Sequence, residues 1–154
     1  MAITGITTYL WFDEAALEAA TYYASLFPNT TVGNISYYHE GAQKPAGTAL
    51  TVELSLFGSP FVCLNGGPGP QPSAATSFQV YCETQEEIDR LWESLTSDGG
   101  SEGRCGWCTD RYGVSWQIVP AELGALLQGS DAESSQRAFS AMMMMSKFVI
   151  DDLR

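Results

Sequence analysis

The feature of this chain that most constrains its fold is an internal duplication. Two apolar runs that begin with glycine occupy residues 58–65 and 113–120. Upstream of them, residues 9–13 and 79–83 are β-prone, and each of these stretches leads into a helical pattern. Each half therefore predicts a strand, a helix and then several strands. Two copies of one supersecondary unit restrict the possible folds severely, although they do not indicate a reaction.

The first half carries a signal for each element of such a unit. Residues 3–12 are rich in β-branched and aromatic side chains, which favours a strand. Asp13 is a good N-cap for the helix that the apolar spacing predicts over residues 14–27. Apolar and polar residues alternate over positions 50–56, which is typical of a strand with one buried face. The rest of this half predicts strands at residues 30–38 and 61–65, with a loop at 40–47.

The second half repeats this order and then adds a helical tail. Residues 66–73 are rich in glycine and proline, cannot continue a β-ladder and mark the boundary between the modules. Thr84 and Glu87 form a capping box for a helix that Gly99 and Gly100 end. The other predicted elements are a strand at residues 77–82, a hairpin of 102–109 with 112–119, and tail helices at 121–127 and 132–147.

We therefore predict an α+β protein with two paired β-α-β-β-β modules and C-terminal helices. The modules occupy residues 1–70 and 71–120, and the helical tail occupies 121–154. A length of 154 residues suits one structural domain overall. The tail carries methionine at positions 142–145, and we expect this soft apolar run to lie on one helix, buried under the sheet or in a subunit interface.

Composition excludes several classes of function. The chain has 18 acidic residues against 7 basic ones, and its net charge is −11. Such a chain is repelled by a nucleic-acid backbone and by an anionic membrane surface. No apolar run approaches the roughly 20 residues needed to span a bilayer, and the N-terminus lacks a signal-peptide pattern. We expect a cytoplasmic protein whose four cysteines are reduced thiols.

Two motifs are weak indicators of chemistry. Cys105 and Cys108 have the C-x-x-C spacing of a redox pair or of half a zinc site. The segment reads as a strand, in which residues three apart point to opposite faces, so two ordinary strand cysteines are favoured. His39 is the only histidine and lies beside the predicted loop, which favours a solvated edge residue over a catalytic or metal-binding one.

Aromatic residues and a glycine turn predict a small-molecule pocket. Tyr9, Trp11 and Trp107 lie on predicted strands and suit an apolar pocket, although core packing would demand the same residue types. Asn65 offers both a donor and an acceptor, and Gly66 lets the backbone approach a ligand, with a plain linker turn as the alternative. The predicted ligand-binding residues are Tyr9, Trp11, Asn65, Gly66, Trp107 and Gln117.

Six motifs follow one another along nearly the whole chain. They are LWFD at residues 10–13, LFPN at 26–29, LNGGP at 64–68, CETQEE at 82–87, CGW at 105–107 and DRYGVSWQ at 110–117. In this order they resemble the PhnB-like branch of the vicinal oxygen chelate superfamily, whose members often carry the label demethylubiquinone methyltransferase. The superfamily also includes glyoxalase, bleomycin-resistance and extradiol dioxygenase proteins.

The resemblance implies sheets that curl around a cup, a homodimer and a small-molecule ligand. In metal-dependent relatives, the first and last strands supply His and Glu ligands to a divalent ion. At the matching positions this chain has Gln117 and Val62 on the last strands, and residues 6–8 and 75–77 of the first strands offer no histidine. An amide, an aliphatic chain and hydroxyls suit a hard divalent cation poorly, so we expect the usual metal site to be absent.

Three functions follow as hypotheses. The favoured one is a small-molecule binding protein without the usual divalent metal. The alternative is a metal-dependent lyase, isomerase or dioxygenase, in which Glu53, Gln117 or Asp110 would hold a divalent metal. Methyl transfer is disfavoured, because a typical S-adenosylmethionine site needs a Gly-rich strand-to-helix loop, whereas Gly66 and Gly67 lead into prolines.

Overall fold

The duplicated sequence folds as two four-stranded mixed sheets, each with a helix packed on one face. The computed structural model describes residues 2–154 and divides after Gln71 into two compact units. Each unit begins with a strand and a helix, and its first strand pairs in parallel with its last. The α+β class and the β-α-β-β-β order predicted from the duplication are confirmed. Among residues 2–154, no helix has both the length and the apolar character needed to cross a bilayer.

The first unit is a sheet of order β1-β4-β3-β2, in which β1 and β4 are parallel and the other pairs are antiparallel. Alternate residues of β3, namely Val52, Leu54 and Leu56, are buried, and so are the small side chains along one side of α1. The elements are β1 (Thr8–Phe12), α1 (Ala16–Leu26), β2 (Thr30–Tyr37), β3 (Ala49–Leu56) and β4 (Ser59–Asn65).

Helix α1 begins where a distant side chain caps it, and not where the sequence predicted. Asp13 is not the cap: the residue before the helix is Ala15, whose side chain makes no capping bond. Instead Oδ1 of Asn65, at the end of β4, accepts the backbone N–H of Ala16 at 2.8 Å. Nδ2 of Asn65 donates to the carbonyl oxygen of Ala49 at 3.0 Å. One buried carboxamide therefore joins β4, α1 and the start of β3.

The second unit repeats this arrangement with a sheet of order β5-β8-β7-β6, in which β5 and β8 are parallel. Its elements are β5 (Ser77–Cys82), α2 (Gln85–Thr96), β6 (Ser101–Glu102), β7 (Trp107–Thr109) and β8 (Ser115–Pro120), followed by the tail helices α3 (Leu123–Leu127), α4 (Ala132–Met142) and α5 (Ile150–Leu153).

Helix α2 is capped locally, as the sequence predicted. The hydroxyl of Thr84 accepts the N–H of Glu87 at 3.2 Å, and the Glu87 carboxylate accepts the N–H of Thr84 at 3.2 Å. The strand residue that matches Asn65 in this unit is Pro120, since Asn65 pairs with Phe12 and Pro120 pairs with Cys82. Proline has no polar side chain to offer, so the second copy begins its helix with neighbouring residues instead.

The predicted strand at residues 102–109 is wrong in its middle part. Residues 103–106 form a turn, and Cys105 and Gly106 have positive φ angles of 55° and 82°. The N–H groups of these two residues donate to the carbonyl oxygens of Met145 and Ser146, each at 2.8 Å. A Cβ on Gly106 would lie 2.4 Å from the ring of Phe148, so this close approach requires glycine. Contact with the tail therefore replaces strand pairing here.

The last long helix is also shorter than predicted. It ends at Met142 rather than at residue 147, so the four methionines do not share one helix, and Met144 is 82% exposed. The chain beyond the helix is held by the side chain of Gln85, which donates to the carbonyl oxygen of Phe148 and accepts the N–H of Ile150, both at 2.8 Å. Closer to the helix end, the carbonyl oxygen of Met143 accepts from the Arg104 guanidinium, and those of Met145 and Ser146 accept the backbone N–H groups of Cys105 and Gly106, so bonds to a distant segment take the place of further helical bonds.

We predict that Asn65→Ala destabilises the protein more than the matched change Thr84→Ala. The Thr84 variant loses a local cap, which is worth about 1 kcal/mol. The Asn65 variant loses its cap and also leaves the partly buried carbonyl of Ala49 without its side-chain donor, for a total of roughly 2–3 kcal/mol. Urea unfolding of both variants measures the two losses, and an Asn65→Ala loss no larger than that of Thr84→Ala would contradict the long-range role.

Candidate functional site

The face of the first sheet that points away from α1 carries the side chains that alternate with Val52, Leu54 and Leu56 along β3. The strand register places Tyr9, Val62 and Glu53 side by side on this face, which we call the first distal face. Tyr9 is 59% exposed, so its ring is available to a ligand. Trp11 and Leu64 form the next row.

A cavity of about 360 Å³ opens on the first distal face. Its volume lies in the range of roughly 300–1,000 Å³ that is common for small-molecule pockets. The Glu53 carboxylate is the one charged group in its lining, beside three hydroxyl groups and the apolar surfaces of Pro60 and Val62. The lining residues are Thr7, Thr31, Gly33, Glu53, Leu54, Ser55, Gly58, Pro60, Phe61 and Val62.

A bulge in β2 shapes one wall of this cavity. The pairing of β2 with β3 shifts between Val32 and Ile35, opposite Glu53. A Cβ on Gly33 would lie 3.2 Å from both Cβ and Oε2 of Glu53, so glycine leaves room for the carboxylate. Oε2 of Glu53 accepts the N–H of Asn34 at a long 3.4 Å. Sequence reasoning missed this wall, although a glycine inside a β-prone run is a signal for a bulge.

Trp11 lies over the glycine turn that follows β4. Its indole N–H donates to the carbonyl oxygen of Gly67 at 2.8 Å, and its side chain is still partly exposed. A Cβ on Gly66 would lie 2.3 Å from Cζ2 of Trp11, so only glycine lets the ring lie this close. The structure thus brings Trp11 and Gly66 together. Asn65 is 2% exposed, and both ends of its carboxamide hydrogen-bond within the unit.

The second sheet has a matching row on its own distal face, the face away from α2. The register places Gln79, Gln117 and Trp107 side by side. Nε2 of Gln117 donates to the hydroxyl of Ser77 at 2.8 Å, and its Oε1 accepts from Nε2 of Gln79 at 3.1 Å. Gln117 and Trp107 are both half-buried. The two sequence-predicted residues of this unit are therefore neighbours on one surface.

The donor set does not fit the divalent ion that the superfamily implies. Gln117 uses its amide within the second sheet, and Val62, at the matching position of the first, has no donor atom. The carboxylate of Asp110 is 1% exposed and accepts the N–H groups of Tyr112 and Val114 and the indole N–H of Trp116. Within residues 2–154, no three carboxylate, imidazole or thiol side chains lie close enough to share an ion.

The cysteines do not form a pair. All four are free, and Cys105 lies in the turn before β7 rather than on a strand, with its Sγ 3.5 Å from the carbonyl oxygen of Met142. Burial raises the pKa of Cys63 and of Cys108 to about 12 and that of Cys82 to about 11. A redox or metal-binding cysteine needs an accessible thiolate, whereas these three thiols are buried and their raised pKa values keep them protonated.

The comparisons with known proteins agree with this architecture. The sequence model of the family described as 3-demethylubiquinone-9 3-methyltransferase matches residues 4–119. A PhnB protein from Bacillus cereus is 34% identical and superposes with a TM-score of 0.70, over 77% of this chain and 100% of that chain. A protein from Pseudomonas aeruginosa is 21% identical with a TM-score of 0.60, over 75% of this chain and 96% of its own, and supports the fold alone. None of the curated proteins matches this chain.

Two β-α-β-β-β units with parallel first and last strands define a protein of the vicinal oxygen chelate superfamily. Within that superfamily, the chain belongs to the 3-demethylubiquinone-9 3-methyltransferase family, the PhnB-like branch. The resemblance in the sequence motifs is thereby confirmed.

We predict that one thiol of the native protein reacts rapidly with Ellman's reagent at pH 8. Cys105 is the half-exposed cysteine, whereas the other three are buried and have raised pKa values, so they stay protonated at this pH. Cys105→Ser removes the rapid phase and Cys108→Ala, the control, retains it. Rapid reaction of two thiols, or a disulfide between Cys105 and Cys108 in the native protein, would contradict this assignment.

Proposed function

We propose that this protein binds a small, partly apolar molecule on the distal faces of its sheets. The observation that carries the proposal is the cavity of about 360 Å³ on the first distal face, which has an apolar wall, hydroxyl groups and a single carboxylate. Pockets of this kind, largely apolar with a few placed polar groups, are the usual binding sites for small molecules.

The proposed ligand-binding residues have different roles. In the first unit, Tyr9 and Trp11 supply aromatic surface, because both are partly exposed on the distal face. Asn65 and Gly66 support the site indirectly. The Asn65 side chain links the end of β4 to α1, and Gly66 leaves the space that the Trp11 ring occupies. In the second unit, Trp107 and Gln117 offer an aromatic ring and an amide side by side. Aromatic rings with one polar partner suit a ligand that is part apolar.

The methyl transfer named in the family description is not the function that these residues favour. A typical S-adenosylmethionine site places a glycine-rich loop between a strand and the helix that follows it. Here β1 leads into α1 through Asp13, Glu14 and Ala15, and β5 leads into α2 through Glu83 and Thr84. Neither connection contains a glycine, so neither provides that loop. A metal-dependent reaction is disfavoured by the donor set described above.

The setting of this binding, in our proposal, is the cytoplasm. Four thiols without a disulfide are compatible with a reducing compartment. The net charge of −11 disfavours nucleic acid and anionic membrane surfaces as partners. The proposed partner is therefore a small molecule, together with a second copy of the chain.

We expect 2-naphthol, a neutral aromatic probe, to bind saturably to the first distal face. The measurement is a titration followed by the backbone amide signals of Gly33, Ser55 and Val62 in two-dimensional NMR. Tyr9→Ala should weaken binding by about two- to tenfold, because it removes an aromatic contact worth roughly 0.5–1.5 kcal/mol. The control is Leu17→Ala, a 43% exposed residue of α1, which should leave affinity unchanged. Absence of saturable binding to the wild type would refute the proposed function.

The proposed homodimer has a candidate surface at the start of the chain. Ile3 and Ile6 are each 89% exposed, and they precede β1, an edge strand of the first sheet. Large apolar side chains with this exposure are typical of association surfaces when they are grouped.

We predict that the wild-type protein is a dimer by light scattering after size-exclusion chromatography and that the double variant Ile3→Ser with Ile6→Ser is a monomer. The variant removes apolar surface that association would bury. Met144→Ser, a change at another exposed apolar residue, is the control and should remain dimeric. A wild-type monomer, or a double variant that stays dimeric, would contradict this surface.

A further inference from the structure

The cavity on the first distal face contains a carboxylate that no Lys or Arg side chain of residues 2–71 balances. Up to residue 71 the sequence has one Lys or Arg, Lys44. The ammonium group of Lys44 lies 3.7 Å from Asp13 and 3.8 Å from Glu14, so it is already placed between two carboxylates. Glu53 instead faces the cavity, with its Oε2 at 3.4 Å from the N–H of Asn34.

We propose that this cavity binds the protonated amino group of an organic ligand and that the Glu53 carboxylate is its counter-ion. The inference rests on the proposed function, since it names the chemical class of the molecule that the first distal face takes. An ammonium group has three N–H donors and no acceptor, so it needs several oxygen acceptors around it. The carboxylate of Glu53 and the hydroxyl oxygens of Thr31 and Ser55 are acceptors in the lining of one cavity.

The shape and the remaining lining favour an organic cation over a metal ion. The volume of about 360 Å³ has room for a ligand body as well as its charged end. Pro60 and Val62 supply the apolar wall that such a body would cover. A hard divalent ion takes six or more oxygen ligands, often with more than one carboxylate among them, and Glu53 is the one carboxylate in the lining.

The net charge of the whole chain also favours a cationic ligand. A net charge of −11 creates a negative potential that raises the local concentration of cations and lowers that of anions. A small anionic ligand would also have to approach Glu53 without a cation in the lining to offset the repulsion. The expected ligand is therefore a primary or secondary amine with a compact apolar group.

Three probes of nearly equal shape test this proposal. They are benzylamine, which is protonated at pH 7, benzyl alcohol, which is neutral, and benzoate, which is an anion. Each is titrated into the wild-type chain of 154 residues, and the dissociation constant is taken from the amide signals of Gly33, Asn34 and Ser55. We expect benzylamine to bind more tightly than benzyl alcohol, benzoate to bind most weakly, and the benzylamine affinity to fall as salt rises.

Three variants distinguish the effect of the Glu53 carboxylate on affinity from the effect of the net charge of the chain. Glu53→Gln keeps the size of the side chain and should weaken benzylamine binding by about two- to fivefold, because the carboxylate is exposed and screened by solvent, while the affinity for benzyl alcohol stays unchanged. Glu53→Asp retains the charge and should keep a preference for the amine. Glu40→Gln removes one negative charge from the exposed loop after β2, and this matched control should change neither probe.

The outcomes distinguish this inference from the proposed function. If benzyl alcohol and benzylamine bind with equal affinity, or if Glu53→Gln does not alter the preference, the distal face binds small molecules but the amine inference is overturned. If no probe binds at all, the proposed function and the inference fail together. If calcium chloride or magnesium chloride alone shifts the same amide signals with saturation, and Glu53→Gln abolishes that shift, a metal subsite replaces the amine site.

Discussion

The first unit depends on one buried carboxamide. Asn65 is the last residue of β4, and its side chain accepts the first N–H of α1 and donates to the carbonyl at the start of β3. Three elements that are far apart in sequence therefore meet at one side chain, and the turn that follows it carries Gly66 and the Trp11 ring. Because the bonds of Asn65 fix the end of β4, they also fix the register that sets Tyr9, Val62 and Glu53 in one row.

The two copies of the supersecondary unit cap their helices in different ways. Both must begin a helix a few residues after a parallel strand, and both must satisfy its first N–H groups. The first copy uses a long-range cap, whereas the second has proline at the matching position and uses the local pair Thr84 and Glu87. Their distal faces have diverged as well, since the row with Glu53 in one unit corresponds to a row of two glutamines and Trp107 in the other.

This divergence shapes the proposed function. The superfamily architecture places residues of the first and last strands on the distal faces, and in this chain those positions hold Val62 and Gln117 rather than carboxylates. The polar groups that remain around the cavity are hydroxyls and Glu53, whose neighbour Gly33 leaves space for the carboxylate. Such a surface is suited to binding a molecule through apolar contacts and one charged group. It offers few groups that could hold a metal ion and stabilise the charge that develops on a substrate bound to that ion.

The sequence by itself determined the duplicated architecture, the strand alternation of β3 and the capping box of α2, because these signals are local and periodic. It also named Trp11 and Gly66 as candidate ligand-binding residues, although not that they are neighbours or that the glycine makes room for the ring. Only the tertiary structure decided the cap from Asn65, the turn at Cys105 and the end of the last long helix at Met142. Each of these depends on a hydrogen bond to a group tens of residues away, which competes with local preference and leaves no pattern in the neighbouring sequence.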